Sequence, residues 1–153
     1  MKTINSIILA LVAIAVAMSL TSCDPFSSVE FNVHNMTSDT VAVTFHSAIV
    51  TSPYQGYDIV ENDSVTTHYE NDSNLVAILI PGQHLTISRE WDGLYRDDQV
   101  VPAWKYITAI KIGDTELDPT RWNNESSWHL KTDGGGRFTE KESRYYDLYL
   151  RNK

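Results

Sequence analysis

Apolar and polar side chains alternate along most of this chain with a period of two, the signature of strands buried on one face. Val29, Phe31 and Val33 are separated by Glu30, Asn32 and His34; after the turn-forming residues 35–39, Val41-Ala42-Val43-Thr44-Phe45 alternates again. The two segments predict a hairpin with one buried face. Further strands are expected over 57–60 and 65–69. The unbroken apolar run Leu75-Val76-Ala77-Ile78-Leu79-Ile80 reads as a strand covered on both faces and stopped by Pro81-Gly82. Alternation resumes from Gln83 to Trp91.

Residues 92–102 are polar and read as a long loop. From Trp104 to Ile112 the pattern puts Tyr106, Thr108, Ile110 and Ile112 on one face, and Gly113-Asp114 turns the chain into Thr115-Glu116-Leu117. Asp118-Pro119-Thr120-Arg121-Trp122 is the one helical candidate, a capped turn. A strand over 128–132, a glycine-rich loop over 133–136 and a last strand with Tyr146, Leu148 and Leu150 on one side complete the chain. About eight or nine short strands at turn spacings near ten residues, without a sustained helical period, predict an all-β fold. The expected architecture is an antiparallel β-sandwich, immunoglobulin-like or similar, with a small β-barrel as the alternative. Glu61-Asn62-Asp63-Ser64 recurs as Glu70-Asn71-Asp72-Ser73, and lacking glycines the two copies read as turns flanking one strand.

The first 23 residues follow a different pattern. Lys2 precedes an apolar run from Ile7 to Met18 without a charge or a turn former. The run is shorter than the roughly 20 residues a bilayer span needs, and it fits the apolar centre of a secretory signal. Leu20-Thr21-Ser22-Cys23 follows, containing the only cysteine. This stretch resembles the signal and lipobox of bacterial lipoproteins. The resemblance implies cleavage of residues 1–22, a diacylglycerol on the Cys23 sulfur and acylation of the new amino group. Two or three acyl chains anchor a soluble body stably where one would not. The expected organisation is a signal over 1–22, a lipidated tether over 23–28 spanning at most about 20 Å, and one sandwich domain over 29–153. The implied location is the cell envelope, on the outer membrane, with periplasmic and surface faces both open because Asp24 resembles two opposed sorting signals. The body loosely resembles small β-rich lipoproteins of Gram-negative anaerobes.

Composition narrows the functional classes. With 153 residues, 42% hydrophobic and 21% charged, the chain suits one folded domain with its own core. Twelve basic against twenty acidic side chains give a net charge of −8, a field that repels phosphate backbones and argues against a nucleic-acid partner. A single cysteine permits no intramolecular disulfide.

Little catalytic chemistry is legible. The sequence has no Gly-x-Ser-x-Gly elbow, P-loop or His-Glu-x-x-His helix. Asp97 and Asp98 are neighbours that point to opposite sides of an extended backbone, a poor glycosidase pair. The histidines at 34, 46, 68, 84 and 129 lack metal-ligand spacing, and the acidic turns match no calcium loop, so neither a metal nor a cofactor is expected. Aromatic residues among polar ones suggest a binding surface instead. Trp91, Tyr95 and Trp128 are the candidate ligand contacts, with Trp104 and Trp122 assigned to the core. Asp39-Thr40-Val41 and Asp63-Ser64-Val65 resemble an O-glycosylation signal of some gut anaerobes, which marks Thr40 and Ser64. The reading from sequence is a lipid-anchored module recognising a glycan or an envelope partner protein, without chemistry of its own. A small glycoside hydrolase and a structural component of an envelope assembly are the alternatives.

Overall fold

In the computed structural model of the chain, which describes residues 26–51, 56–60, 65–92, 100–134 and 141–152, each alternating segment is a strand. The strands are β1 (Phe26–Asn35), β2 (Val41–His46), β3 (Asp58–Val60), β4 (Thr66–Asn71) and β5 (Asn74–Leu79), then β6 (His84–Asp92), β7 (Ile107–Ile112), β8 (Thr115–Glu116), β9 (His129–Gly134) and β10 (Lys141–Leu150). They form two five-stranded sheets, β3-β6-β1-β10-β9 and β4-β5-β2-β7-β8. The protein is an all-β sandwich, and neither sheet closes into a barrel.

The alternation decides which side of each strand turns inward. Val29, Phe31 and Val33 of β1 face Val41, Val43 and Phe45 of β2 across the interior, all essentially inaccessible to solvent. Leu85 and Ile87 of β6 and Tyr146, Leu148 and Leu150 of β10 extend the first layer; Leu75, Ala77 and Leu79 of β5 extend the second. At the centre, Phe31 stacks on Tyr146 at 4.9 Å and meets Tyr57, Trp104 and Trp128 edge-on at 5.4–5.9 Å. Edge-to-face and offset stacking match the charge distribution of aromatic rings, so the cluster gains more than its buried area alone.

Several expectations need correction. β1 and β2 do not form a hairpin, because they lie in different sheets and residues 36–40 arch between them. The arch is fixed by Asn35, whose side chain is fully buried. Its amide donates to the Asp39 and Leu79 carbonyls, both at 2.9 Å, and its oxygen accepts from Thr37 N at 3.0 Å and Thr37 Oγ1 at 2.7 Å. All the hydrogen-bonding capacity of one carboxamide is thereby used, turning the backbone out of one layer into the other. Not every pair is antiparallel either: β1 runs parallel to β10 over its whole length while pairing antiparallel with β6.

The run from Leu75 is covered on both faces as expected, with Leu75, Val76, Ala77 and Leu79 buried and Ile78 half-buried; exposure begins only past the strand, at Ile80 (54%). In β7 the expected face is broken by a bulge: Thr44 pairs with Ala109 but Phe45 with Ile107, so Thr108 is squeezed outward and Ile107 turns in beside Ile110. Trp104 belongs to a 3-10 turn over Ala103–Lys105, not to the strand. The capped turn at Asp118 is present, with its Oδ1 accepting from Thr120 N at 2.8 Å. It is joined by a 3-10 turn over Glu125–Ser127 and a short helix α1 (Ala48–Thr51), neither of which was expected. Asn71-Asp72-Ser73 forms the turn between β4 and β5, with Asn71 Oδ1 accepting from Ser73 N at 2.8 Å; the first copy of that repeat lies outside the described residues.

Candidate functional site

β1 begins at Phe26, so Ser27 and Ser28, assigned to the tether, are buried strand residues. The strand crosses the whole first sheet. Its first residue pairs with Asp92 and Lys141 at one end of the sandwich, and Asn35 reaches the other end about 30 Å away. The arch after β1, the β7–β8 turn and the tail after β10 all gather at this second end, which we call the far end.

A cleft of about 510 Å³ opens there between these three segments. Ile112 and Leu117 supply its apolar surface. Asp39 comes from the arch, Glu116 from β8, and Asp118 with Arg121 from the capped 3-10 turn; Arg151 and Asn152 come from the tail. Local structure fixes each contributor. Asn35 holds the Asp39 carbonyl, Asp118 caps the turn that carries Arg121, and Asn152 Nδ2 donates to Ser38 Oγ at 2.9 Å, pinning the tail against the arch. The Arg151 guanidinium sits 5.9 Å above the Tyr149 ring. Neither Arg121 nor Arg151 forms a salt bridge with a carboxylate among the described residues, although three carboxylates line the same cleft.

A second, shallower groove of about 270 Å³ runs along the flank between the edge strands β3 and β4, with Tyr57, Ile59 and Leu75 inside and Tyr69 at its lip, 60% exposed. On the outer face of the first sheet the register lines up rings from three strands. His84, His34 and Tyr149 stack side by side, with His34 5.5 Å from His84 and 4.6 Å from Tyr149. His34 Nε2 lies 2.9 Å from Asp147 Oδ1, and His129 lies 5.6 Å from Tyr149. The rings that stack in this way cover one another's faces, leaving little flat surface for a sugar. Among the described residues no three His, Cys, Asp or Glu groups are arranged to hold a metal ion.

No protein-family model matches the chain, and neither curated proteins nor solved structures match it.

The structure does not bring the predicted ligand contacts together. Trp128 is buried at 5% exposure inside the Phe31 cluster, its indole N–H donating to the Trp122 carbonyl at 2.8 Å, so its ring offers no platform to a ligand. Trp91 is half-buried opposite Ser27, at the end where β1 begins, with the Arg89 guanidinium 5.8 Å from its ring. Tyr95, Ser64 and Cys23 lie outside the described residues, as do residues 1–22 and the Asp97-Asp98 pair. Thr40 is exposed at the end of the arch, beside Asp39. Sequence reasoning missed the far-end cleft because its walls come from segments about 80 and 110 residues apart. The signal available was the cluster of turn formers at 35–39, 113–114 and 118–119, since loops at one end of a sandwich commonly carry function.

Proposed function

We propose that this chain is a lipid-anchored cell-envelope module that binds a glycan in the far-end cleft, without chemistry of its own. The observation carrying this reading is positional. β1 begins at Phe26, three residues after Cys23 in the sequence, and the cleft lies at the other end of that strand. Acyl chains on Cys23 would hold the opposite end of the sandwich against the outer membrane and turn the cleft toward its ligand. The backbone between Cys23 and Phe26 can span at most about 10 Å, less than the reach expected for residues 23–28. Trp91, at the anchored end, is placed for the headgroup region, where an amphipathic indole is favoured.

Exposed acceptors and donors around an apolar patch suit hydroxyl-rich ligands. Binding fits better than hydrolysis because the cleft carboxylates are solvent-exposed, whereas a catalytic acid is kept protonated by burial. A partner protein is the second reading, favoured by β9, an edge strand whose six residues are all exposed, including Leu130 at 48%. Two measurements test the proposal. Cys23→Ser should leave the precursor uncleaved and without acyl chains; a variant that still matures and fractionates with membranes refutes the anchor. A glycan array probed with the full-length protein in detergent should give hits that Glu116→Gln weakens. A silent array together with a partner captured through β9, and lost on Leu130→Lys, would replace the glycan with a protein.

A further inference from the structure

We propose that the far-end cleft recognises an acidic sugar, with Arg121 and Arg151 gripping the carboxylate of a hexuronic acid residue; this rests on the glycan reading above. In a chain with eight surplus negative charges, a guanidinium readily finds a carboxylate partner. Arg121 and Arg151 form no salt bridge among the described residues, even though Asp39, Glu116 and Asp118 share their cleft. The Arg151 guanidinium lies over Tyr149 next to the pinned Asn152, and the turn capped by Asp118 fixes the backbone that presents Arg121 to the cleft. Guanidinium groups that no carboxylate of the described residues engages are donor forks matched to a planar carboxylate.

The remaining walls fit the rest of the same ligand. Carboxylate side chains accept hydrogen bonds from neighbouring hydroxyls, and Ile112 and Leu117 offer apolar contact to the C–H face of a pyranose ring. The three acids also oppose a ligand carboxylate placed anywhere except beside the arginines, which sets the register of the sugar. The volume of about 510 Å³ lies within the roughly 300–1,000 Å³ of small-molecule sites and has room for a short oligosaccharide segment.

Isothermal titration of the full-length protein in detergent micelles tests the assignment with three probes: trigalacturonate, its fully methyl-esterified form, and triglutamate. Trigalacturonate should bind at least about tenfold more tightly than the ester, with affinity falling as salt rises. Arg121→Gln and Arg151→Gln should each remove about tenfold from trigalacturonate binding and reduce the weak ester binding by a clearly smaller factor. Arg151→Lys should fall between, since it keeps the charge and loses the fork. Both arginines are exposed, so thermal melts of the variants should overlay that of the parent. Equal binding of acid and ester overturns the carboxylate assignment and leaves the glycan reading standing. Triglutamate binding as tightly as trigalacturonate overturns the sugar in favour of an acidic peptide. Absence of trigalacturonate binding overturns the inference, and the glycan reading falls with it only when the glycan array is silent as well.

Discussion

Asn35→Ala should be among the most damaging single substitutions in this protein, although it removes only a small polar side chain. In the folded chain the carboxamide is fully buried and makes four hydrogen bonds, to the Asp39 and Leu79 carbonyls and from Thr37 N and Oγ1. The Thr37 hydroxyl keeps the Asp39 carbonyl as an alternative acceptor at 3.0 Å, so its loss is small. The Leu79 carbonyl and the Thr37 N–H lose their Asn35 partner in buried surroundings. Each such group costs about 1–3 kcal/mol, which puts the substitution near 4 kcal/mol, a large share of the roughly 5–15 kcal/mol that stabilises a domain. Asn35→Asp should do at least as much harm at neutral pH, because a second oxygen replaces the amide nitrogen that faced two carbonyls. Urea unfolding followed by tryptophan fluorescence is a suitable assay, since Trp104, Trp122 and Trp128 are all buried and move into water together. The midpoint should fall with little change in slope. A loss below about 1 kcal/mol for Asn35→Ala would refute the claim that this side chain fixes the arch between the sheets.

Three further outcomes follow from the packing. Phe31→Ala removes the ring at the centre of the aromatic cluster and should cost about 3–5 kcal/mol in the same urea experiment. Trp128→Phe should cost about 1–2 kcal/mol more than Trp122→Phe, because the Trp128 indole donates to a buried carbonyl whereas that of Trp122 has no acceptor among the described residues; equal losses would contradict this. Gly82→Ala should cost about 1 kcal/mol by thermal melt, purely from its φ of +83°, since an added Cβ meets nothing within 4 Å. Intact mass of the protein from its native host should show a sugar increment on the peptide carrying Thr40, and an unmodified mass would end that proposal.

The strands were legible wherever one face alone is buried, because burial then imposes the alternation directly. Val29-Phe31-Val33, Val41-Val43-Phe45 and Tyr146-Leu148-Leu150 lie inward as their spacing said. Alternation carries no information about which layer a strand joins, and residues 35–39 are as rich in turn formers as a hairpin loop. Only the buried Asn35 network, which needs Leu79 of a distant strand, distinguishes an arch from a hairpin. The bulge at Thr108 likewise arises from pairing with β2 and leaves no mark in the local pattern. Trp128 was misplaced for a related reason: it sits among exposed polar residues in sequence, but its ring turns into a cluster assembled from Phe31, Trp104 and Tyr146. The row of His84, His34 and Tyr149 and the far-end cleft depend on register between strands far apart in the chain, which composition and spacing do not encode.

The parallel embrace of β1 by β10 joins the first and last strands among the described residues. The first sheet therefore cannot be completed until synthesis has delivered residue 150, so its central pairing forms late. The same arrangement governs mechanical strength. Tension applied through the N-terminus pulls β1 lengthwise between two full neighbours, so the ladders to β6 and β10 are loaded together in shear instead of unzipping bond by bond. If the proposed anchor at Cys23 holds the chain, a pull on it would meet its resistance first at β1.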